Sequence, residues 1–298
     1  MRIFTNVCKR FFLLIFISTF IISLMGCVKN NDNEGINVFS YNMKYESETG
    51  GGDPVYTWER RLPGIVDSFE RYSADIVGTQ ELRKWQLDGL MSSLDSKYVA
   101  YGEPRYLEAD EHCSIIYNSD RFTFIEGDTL WLSDTPEVVG SKSWDTALPR
   151  IVTYAMLLDD VTNKEFVVFN IHLDHRSESA RRNGLNLVVE LMLDFEDYPI
   201  ILTGDFNMYD DSGDFESLNN QSDIFGNTFT PFQDQFDPNG KTSHGFNGGI
   251  EGKPIDYIYY SLSKFTVLET SIIYDKWEDR FFLSDHYPVY SILYFNEE

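Results

Sequence analysis

Six polar stations interrupt this sequence, each at the end of an apolar, β-like run. Asn42 follows Val38–Tyr41, Glu81 follows Ile76–Gln80, and His172 follows Val167–Ile171. Asp205 and Asn207 follow Ile200–Gly204, Asp256 lies within Ile255–Tyr260, and the pair Asp285-His286 precedes Pro288-Val289. A single Asp after a strand is usually a turn former or a helix cap. Strand ends of α/β folds converge on one rim, however, so the coincidence of six predicts a shared site.

The residue types define the chemistry such a site would do. Glu81 and Asp285 offer hard oxygen ligands, while Asn42 and Asn207 offer neutral oxygens or orient water. An oxygen-rich, thiolate-free set suits Mg²⁺, Mn²⁺ or Ca²⁺ and not structural zinc. His172 and His286 can serve as phosphate donor and general base. Asp256 beside His286 would fix its tautomer and stabilise its protonated form. Together they fit metal-assisted attack of water on a phosphate ester. Serine hydrolysis fits poorly, because no Gly-x-Ser-x-Gly elbow is present. Glycosidase chemistry would not require the histidines.

The chain must hold these groups in a fold, and its composition supplies one. Of its 298 residues 42% are hydrophobic and 15% aromatic, which excludes a disordered or fibrous chain. With 48 acidic against 24 basic side chains the net charge is −24, so the overall field opposes polynucleotide binding. An anionic substrate must be captured by a local device. At the start, Arg2, Lys9 and Arg10 precede an apolar run, Phe11–Leu24, that is shorter than the roughly 20 residues of a membrane span. This suits a signal peptide over residues 1–26. Leu24-Met25-Gly26-Cys27 resembles a bacterial lipobox, which implies cleavage before Cys27, lipidation of that cysteine and anchorage in the cell envelope. Residues 27–35 then read as the lipidated cysteine and a polar tether, and 36–298 as a single domain. Loss of the signal would leave Cys113 without a disulfide partner and take the charge from −24 to −27.

Strands are expected at Ile36–Tyr41, Asp75–Thr79, Cys113–Tyr117, Phe122–Leu132, Ile151–Leu158, Phe166–Ile171, Ile200–Thr203, Ile255–Tyr260, Thr266–Tyr274 and Val289–Tyr294. Helical spacing covers Trp58–Tyr72, Leu82–Leu94 and Ser177–Phe195, the last with Ser177 or Ser179 as cap. Helices join some strands and direct links join others, which predicts two sheets flanked by helices.

Taken in order, Ser40-Tyr41-Asn42-Met43-Lys44-Tyr45, Gly78-Thr79-Gln80-Glu81, Asn170-Ile171-His172-Leu173, Thr203-Gly204-Asp205-Phe206-Asn207, Ile255-Asp256-Tyr257-Ile258 and Ser284-Asp285-His286-Tyr287-Pro288-Val289 resemble the motif series of the endonuclease/exonuclease/phosphatase superfamily. That group includes deoxyribonuclease I, deadenylases and neutral sphingomyelinases. The resemblance implies a four-layer α/β/β/α sandwich of two packed mixed sheets, with the site at one edge. It implies metal binding at Glu81, Asp285 and Asn42, with Mg²⁺ the expected ion and Mn²⁺ or Ca²⁺ as alternatives. Asp205 and Asn207 would position the attacking water and the phosphate, His286 would stand at the reaction centre oriented by Asp256, and His172 would contact phosphate. Glu111 matches a glutamate that supports that histidine. Motifs similar to one bacterial branch add Arg150, His175, Arg181 and His244 as substrate-binding groups. Lys44 and Pro254 stand where the superfamily often has arginine, which bears on substrate identity. The expected activity is hydrolysis of a phosphate mono- or diester, small or lipid-like, by a monomer. A secreted nuclease and a non-catalytic binding lipoprotein are the alternatives.

Overall fold

Apolar side chains alternate in direction along the central strands, and that alternation builds the layers. The structure, a computed structural model, describes residues 35–47, 54–107, 110–232, 240–278 and 281–297. The expected signal peptide, Cys27 and the tether up to residue 34 lie outside the described residues. In chain order the elements are β1 (Ile36–Asn42), α1 (Trp58–Arg71), β2 (Ile76–Gln80), β3 (Leu82–Arg83), α2 (Lys84–Ser93), β4 (Tyr98–Tyr101), β5 (Glu111–His112), β6 (Ile115–Asn118), β7 (Phe122–Trp131), β8 (Ile151–Asp159), β9 (Lys164–His172), α3 (Glu178–Asp194), β10 (Ile200–Asp205), α4 (Glu216–Asn219), β11 (Phe225–Asn227), β12 (Asp256–Ser261), β13 (Phe265–Ile272) and β14 (Val289–Phe295).

One six-stranded sheet runs β13-β14-β1-β2-β6-β4, and the other β11-β12-β10-β9-β8-β7. Each is mixed, with a parallel pair near its middle, β1–β2 in the first and β9–β10 in the second. In the first sheet Ile36, Val38, Ile76, Ile115 and Val289 point toward the second sheet and join its core. Their neighbours Phe39, Val77, Ile116 and Tyr290 point the other way, onto Ile65, Phe69, Leu87 and Leu90 of α1 and α2. Leu185, Val188, Val189 and Met192 of α3 pack with the core of the second sheet. Helices, sheet, sheet and helix therefore stack as four layers, the sandwich expected from the motifs. Strands buried on both faces carry nearly continuous apolar runs, which is why they were legible.

Polar bonds tie the two sheets together just below one rim. Gln80 Nε2 donates to Asn170 Oδ1 at 2.7 Å, and Asn170 Nδ2 donates to the carbonyls of Thr79 at 2.8 Å and Ser114 at 3.0 Å. Gly204 N donates to Ser40 Oγ at 2.9 Å. A Cβ on Gly78 would lie 1.9 Å from Thr203 Oγ1, so glycine permits the sheets to approach here. These bonds fix the facing register of the strand ends that carry the polar stations.

Local departures from expectation are small. Leu82 and Arg83 pair with His112 and Glu111 as a short two-stranded ladder, so the helix expected from Leu82 starts at Lys84. Ser177 does cap α3, its Oγ accepting from Ala180 N at 3.1 Å. The edge strands β4, β5 and β11 were not anticipated, being short and weakly patterned.

Candidate active site

Sheet register brings the first three groups together. In β10 Asp205 stands opposite His172 of β9 on one side and Asp256 of β12 on the other. Adjacent strands lie about 4.8 Å apart, so the three side chains form one row on the inner face. Asn42 closes the row from the facing sheet, its Nδ2 donating to Asp205 Oδ2 at 2.9 Å and to Glu81 Oε1 at 3.1 Å. Ser284 Oγ donates to the Asn42 carbonyl at 2.6 Å, which docks the Asp285-His286 segment beside it. His286 Nδ1 meets Asp256 Oδ2 at 2.8 Å and lies 4.0 Å from Asp205 Oδ2. His172 Nε2 lies 3.5 Å from Asp205 Oδ2. Asn207 donates its backbone N–H to Asp205 Oδ1 at 2.9 Å and its Nδ2 to the Leu173 carbonyl at 3.0 Å. Lys44, Glu81 and Asn207 take φ values of +55°, +67° and +52°. Non-glycine residues in this region are uncommon and gather at functional sites.

Burial and neighbouring charge set unequal proton affinities. Burial and the charge of Asp256 push the Asp205 carboxyl upward, against the pull of His286 and the Asn42 hydrogen bond. Burial alone would lower the His286 imidazole, but the charge and hydrogen bond of Asp256 outweigh it and raise it to about 10. Burial, then Arg150 and Arg105, holds His172 far below the usual histidine range, so it is neutral. One imidazole is thus a fixed cation and the other a neutral ring, flanking an acid of raised proton affinity.

Two oxygen sets are suited to a hard cation. Glu81 Oε2 and Asp285 Oδ2 converge on one ammonium, Lys44 Nζ, at 3.4 and 3.1 Å. The two carboxylates are therefore placed to share a single positive centre, which fits a divalent ion held through oxygens. Asp205, Asp256 and His286 also hold ligand atoms within 4.8 Å of one another. Asn42 stands between the two sets. Its oxygen accepts from Lys44 N at 3.1 Å and its NH₂ faces the carboxylates, so it bridges Glu81 and Asp205.

The stations open onto a cleft of about 600 Å³ whose lining includes Glu81, Asp205, Asn207, Asp285, His172 and His286. Its opposite wall is basic, formed by Arg105, Arg150, His175 and Arg176, with Arg83 and Lys44 also exposed to it. Arg150 and His175, expected as substrate-binding groups, both line the cleft. Glu111 is in the cleft too, but it pairs with Arg105 Nη2 at 2.8 Å and not with His172, a partner that no motif signalled. Burial raises the Glu111 carboxyl to about 6 against the pull of Arg105. Arg181 and His244 differ from expectation. Arg181 Nε donates to Asp214 Oδ2 at 2.9 Å and Nη1 to the Asp174 carbonyl, so it fastens α3 to the following loop, away from the cleft lining. His244 stacks on Tyr287 at 4.0 Å and lines a smaller cavity behind His286. Arg83, Arg105 and Arg176 were missed, because a lone arginine in a loop carries no pattern until the fold gathers several.

The chain matches the family described as Endonuclease/Exonuclease/phosphatase family over residues 39–286. An uncharacterised protein of Acanthamoeba polyphaga mimivirus is 30% identical over 254 residues, 79% of this chain and 91% of that protein. A solved endonuclease/exonuclease/phosphatase family protein from Bacteroides thetaiotaomicron superposes with a TM-score of 0.77 at 29% identity, covering 88% of this chain and 98% of that one. A mannosyl-6-phosphatase from the same organism superposes with a TM-score of 0.76 at 29% identity, covering 87% and 99%.

Proposed function

This chain belongs to the Endonuclease/Exonuclease/phosphatase family, and on that premise we propose that it hydrolyses a phosphate ester, a small or lipid-like one in preference to a polynucleotide. The observation that carries the reading is the single row Asp256–Asp205–His172 meeting His286, Glu81 and Asp285 across one cleft. Asp205, with its raised proton affinity, accepts a proton from the attacking water. Asn207, anchored on Asp205 and on the Leu173 carbonyl, aligns that water. His286 stays protonated through its bond to Asp256, so it donates toward phosphoryl or leaving oxygens and does not act as the base. His172, neutral, offers one N–H to the phosphate. Glu81 and Asp285 would hold Mg²⁺, with Mn²⁺ or Ca²⁺ as alternatives, and the ion would offset charge on the phosphoryl group.

The net charge of −24 supports a small ester over a duplex, as does the 29% identity to a mannosyl-6-phosphatase. Incubating the purified protein and Mg²⁺ with sugar phosphates, inositol phosphates, sphingomyelin, RNA and DNA tests the reading. Turnover confined to polynucleotides would end the small-ester preference. Asp205→Asn is expected to lower kcat on the best ester about a thousandfold while melting at the same temperature or higher, because a buried repulsion with Asp256 disappears. EDTA is expected to abolish turnover and Mg²⁺ to restore it. For location, the lipobox-like Leu24–Cys27 supports a lipid anchor in the cell envelope. Cys27→Ser should move the protein from the membrane to the soluble fraction, and unchanged fractionation would end that proposal.

A further inference from the structure

Among the buried arginines, Arg150 makes the fewest hydrogen bonds. It is 6% exposed and lines the cleft, yet its Nε has no hydrogen-bond partner. Its Nη2 meets His175 Nδ1 at 2.9 Å, a neutral acceptor whose proton affinity is lowered by burial and by Arg150 itself. The carboxylate closest to it, Asp174 Oδ2, is 3.7 Å from Nε, beyond hydrogen-bond range. That carboxylate is already committed, accepting from Thr146 Oγ1, Ala147 N, Arg176 N and Ser177 N. Arg105 is different, since Glu111 and Asp110 take its guanidinium. A buried guanidinium with unpaired N–H groups is costly unless an anion completes it.

Its place relative to the reacting groups is set by sheet register. Val152 of β8 stands opposite Ile171 of β9, so Arg150, just before β8, flanks the His172 end of β9. It is two strands from Asp205, about 10 Å between strand axes, a span that a phosphate and a guanidinium together fill. We propose that Arg150, facing Glu81 and Asp285 across the Asp205–His172 row, seats the dianionic terminal phosphate of a phosphomonoester carried by a small polar molecule. The proposal rests on the phosphoesterase reading above and selects among its substrates. A monoester presents three unsubstituted oxygens and two negative charges, enough to engage the Arg150 fork, His286 and an ion that Glu81 and Asp285 would hold. A diester presents two such oxygens and one charge, so one of these positions is left without an anionic partner. In the reaction the water oxygen bonds to phosphorus and the ester oxygen–phosphorus bond breaks. One water proton passes to Asp205, the leaving oxygen takes a proton from His286, and alcohol and inorganic phosphate depart. The proton left on Asp205 then restores His286.

Calorimetric titration of the purified full chain with methyl phosphate and with dimethyl phosphate, at about pH 8 where the monoester is a dianion, tests the seat without requiring turnover. Methyl phosphate is expected to bind at least about tenfold tighter, and Arg150→Met to erase the difference while Arg150→Lys keeps part of it. Equal affinity of the two probes for the wild-type chain would overturn the proposal, as would selectivity that survives in a folded Arg150→Met. Parallel assays with p-nitrophenyl phosphate and bis(p-nitrophenyl) phosphate separate the two claims. Selective binding without hydrolysis of either ester would sink the phosphoesterase reading and leave the seat standing. Hydrolysis of both esters at equal kcat/KM would sink the seat alone.

Discussion

Four arginines are buried among the described residues, and the surroundings of two of them, Arg61 and Arg150, treat them in opposite ways. Arg61, on α1 and 1% exposed, gives its N–H groups to four main-chain carbonyls, those of Tyr56, Met43, Lys44 and Leu283, at 2.7–3.0 Å. Met43 and Lys44 lie in the turn after β1, Leu283 just before Asp285 and Tyr56 just before α1, so Arg61 braces the backbone behind the acidic side of the cleft. Arg150, on the basic side and 6% exposed, has one hydrogen bond, to a neutral imidazole. The cost of burying a guanidinium is offset inside the fold in the first case and left to a ligand in the second. A buried cation saturated by carbonyls is architecture, and an unsaturated one facing a cleft is recognition.

The largest effect should come from breaking the saturated member. Arg61→Met strands four buried carbonyls and is expected to cost about 3 kcal/mol or more in urea unfolding, with divalent-ion affinity falling as the turn at Lys44 loosens. Arg150→Met should do the reverse. Removing a buried charge held by one hydrogen bond and one loose ion pair, to Asp174 at 3.7 Å, leaves unfolding stability unchanged or higher, while kcat/KM for a phosphate ester falls about a hundredfold. Equal losses of stability in the two variants would erase the distinction. His286 gives an intermediate case, a buried cation paired with one carboxylate. Its proton affinity is raised from the ordinary 6.5 to about 10, so its stabilising contribution is complete below pH 6.5 and declines as pH rises toward about 10. His286→Gln should flatten that alkaline slope in thermal melts, the smallest of the three effects. A slope unchanged in the variant would assign it to other groups.

Much of this arrangement was written locally. Asn42, His172, Asp205 and Asp256 end or begin strands whose two-residue period puts them on the inner face, so their convergence followed from the motifs and the layering together. The cap at Ser177 was equally local, since it satisfies an N–H three residues away. The basic wall was not local. Arg150 meets His175 25 residues on, and behind the acidic side Arg61 reaches Leu283 across 222 residues. Arg181 is likewise tied to a distant partner, Asp214, 33 residues on, and is not among the residues lining the cleft.

Sequence alone determined the strand ends, the acid, amide and imidazole types placed on them, and hence the family of chemistry, because strand periodicity and apolar runs are short-range signals. Tertiary structure decided which cations are spent on backbone and which remain for an anion. It also set Asn42 between Glu81 and Asp205, its Nδ2 donating to both. The reason is that the partner of a buried charge is chosen by whichever loops folding brings within about 3 Å, and nothing in the local sequence encodes that choice.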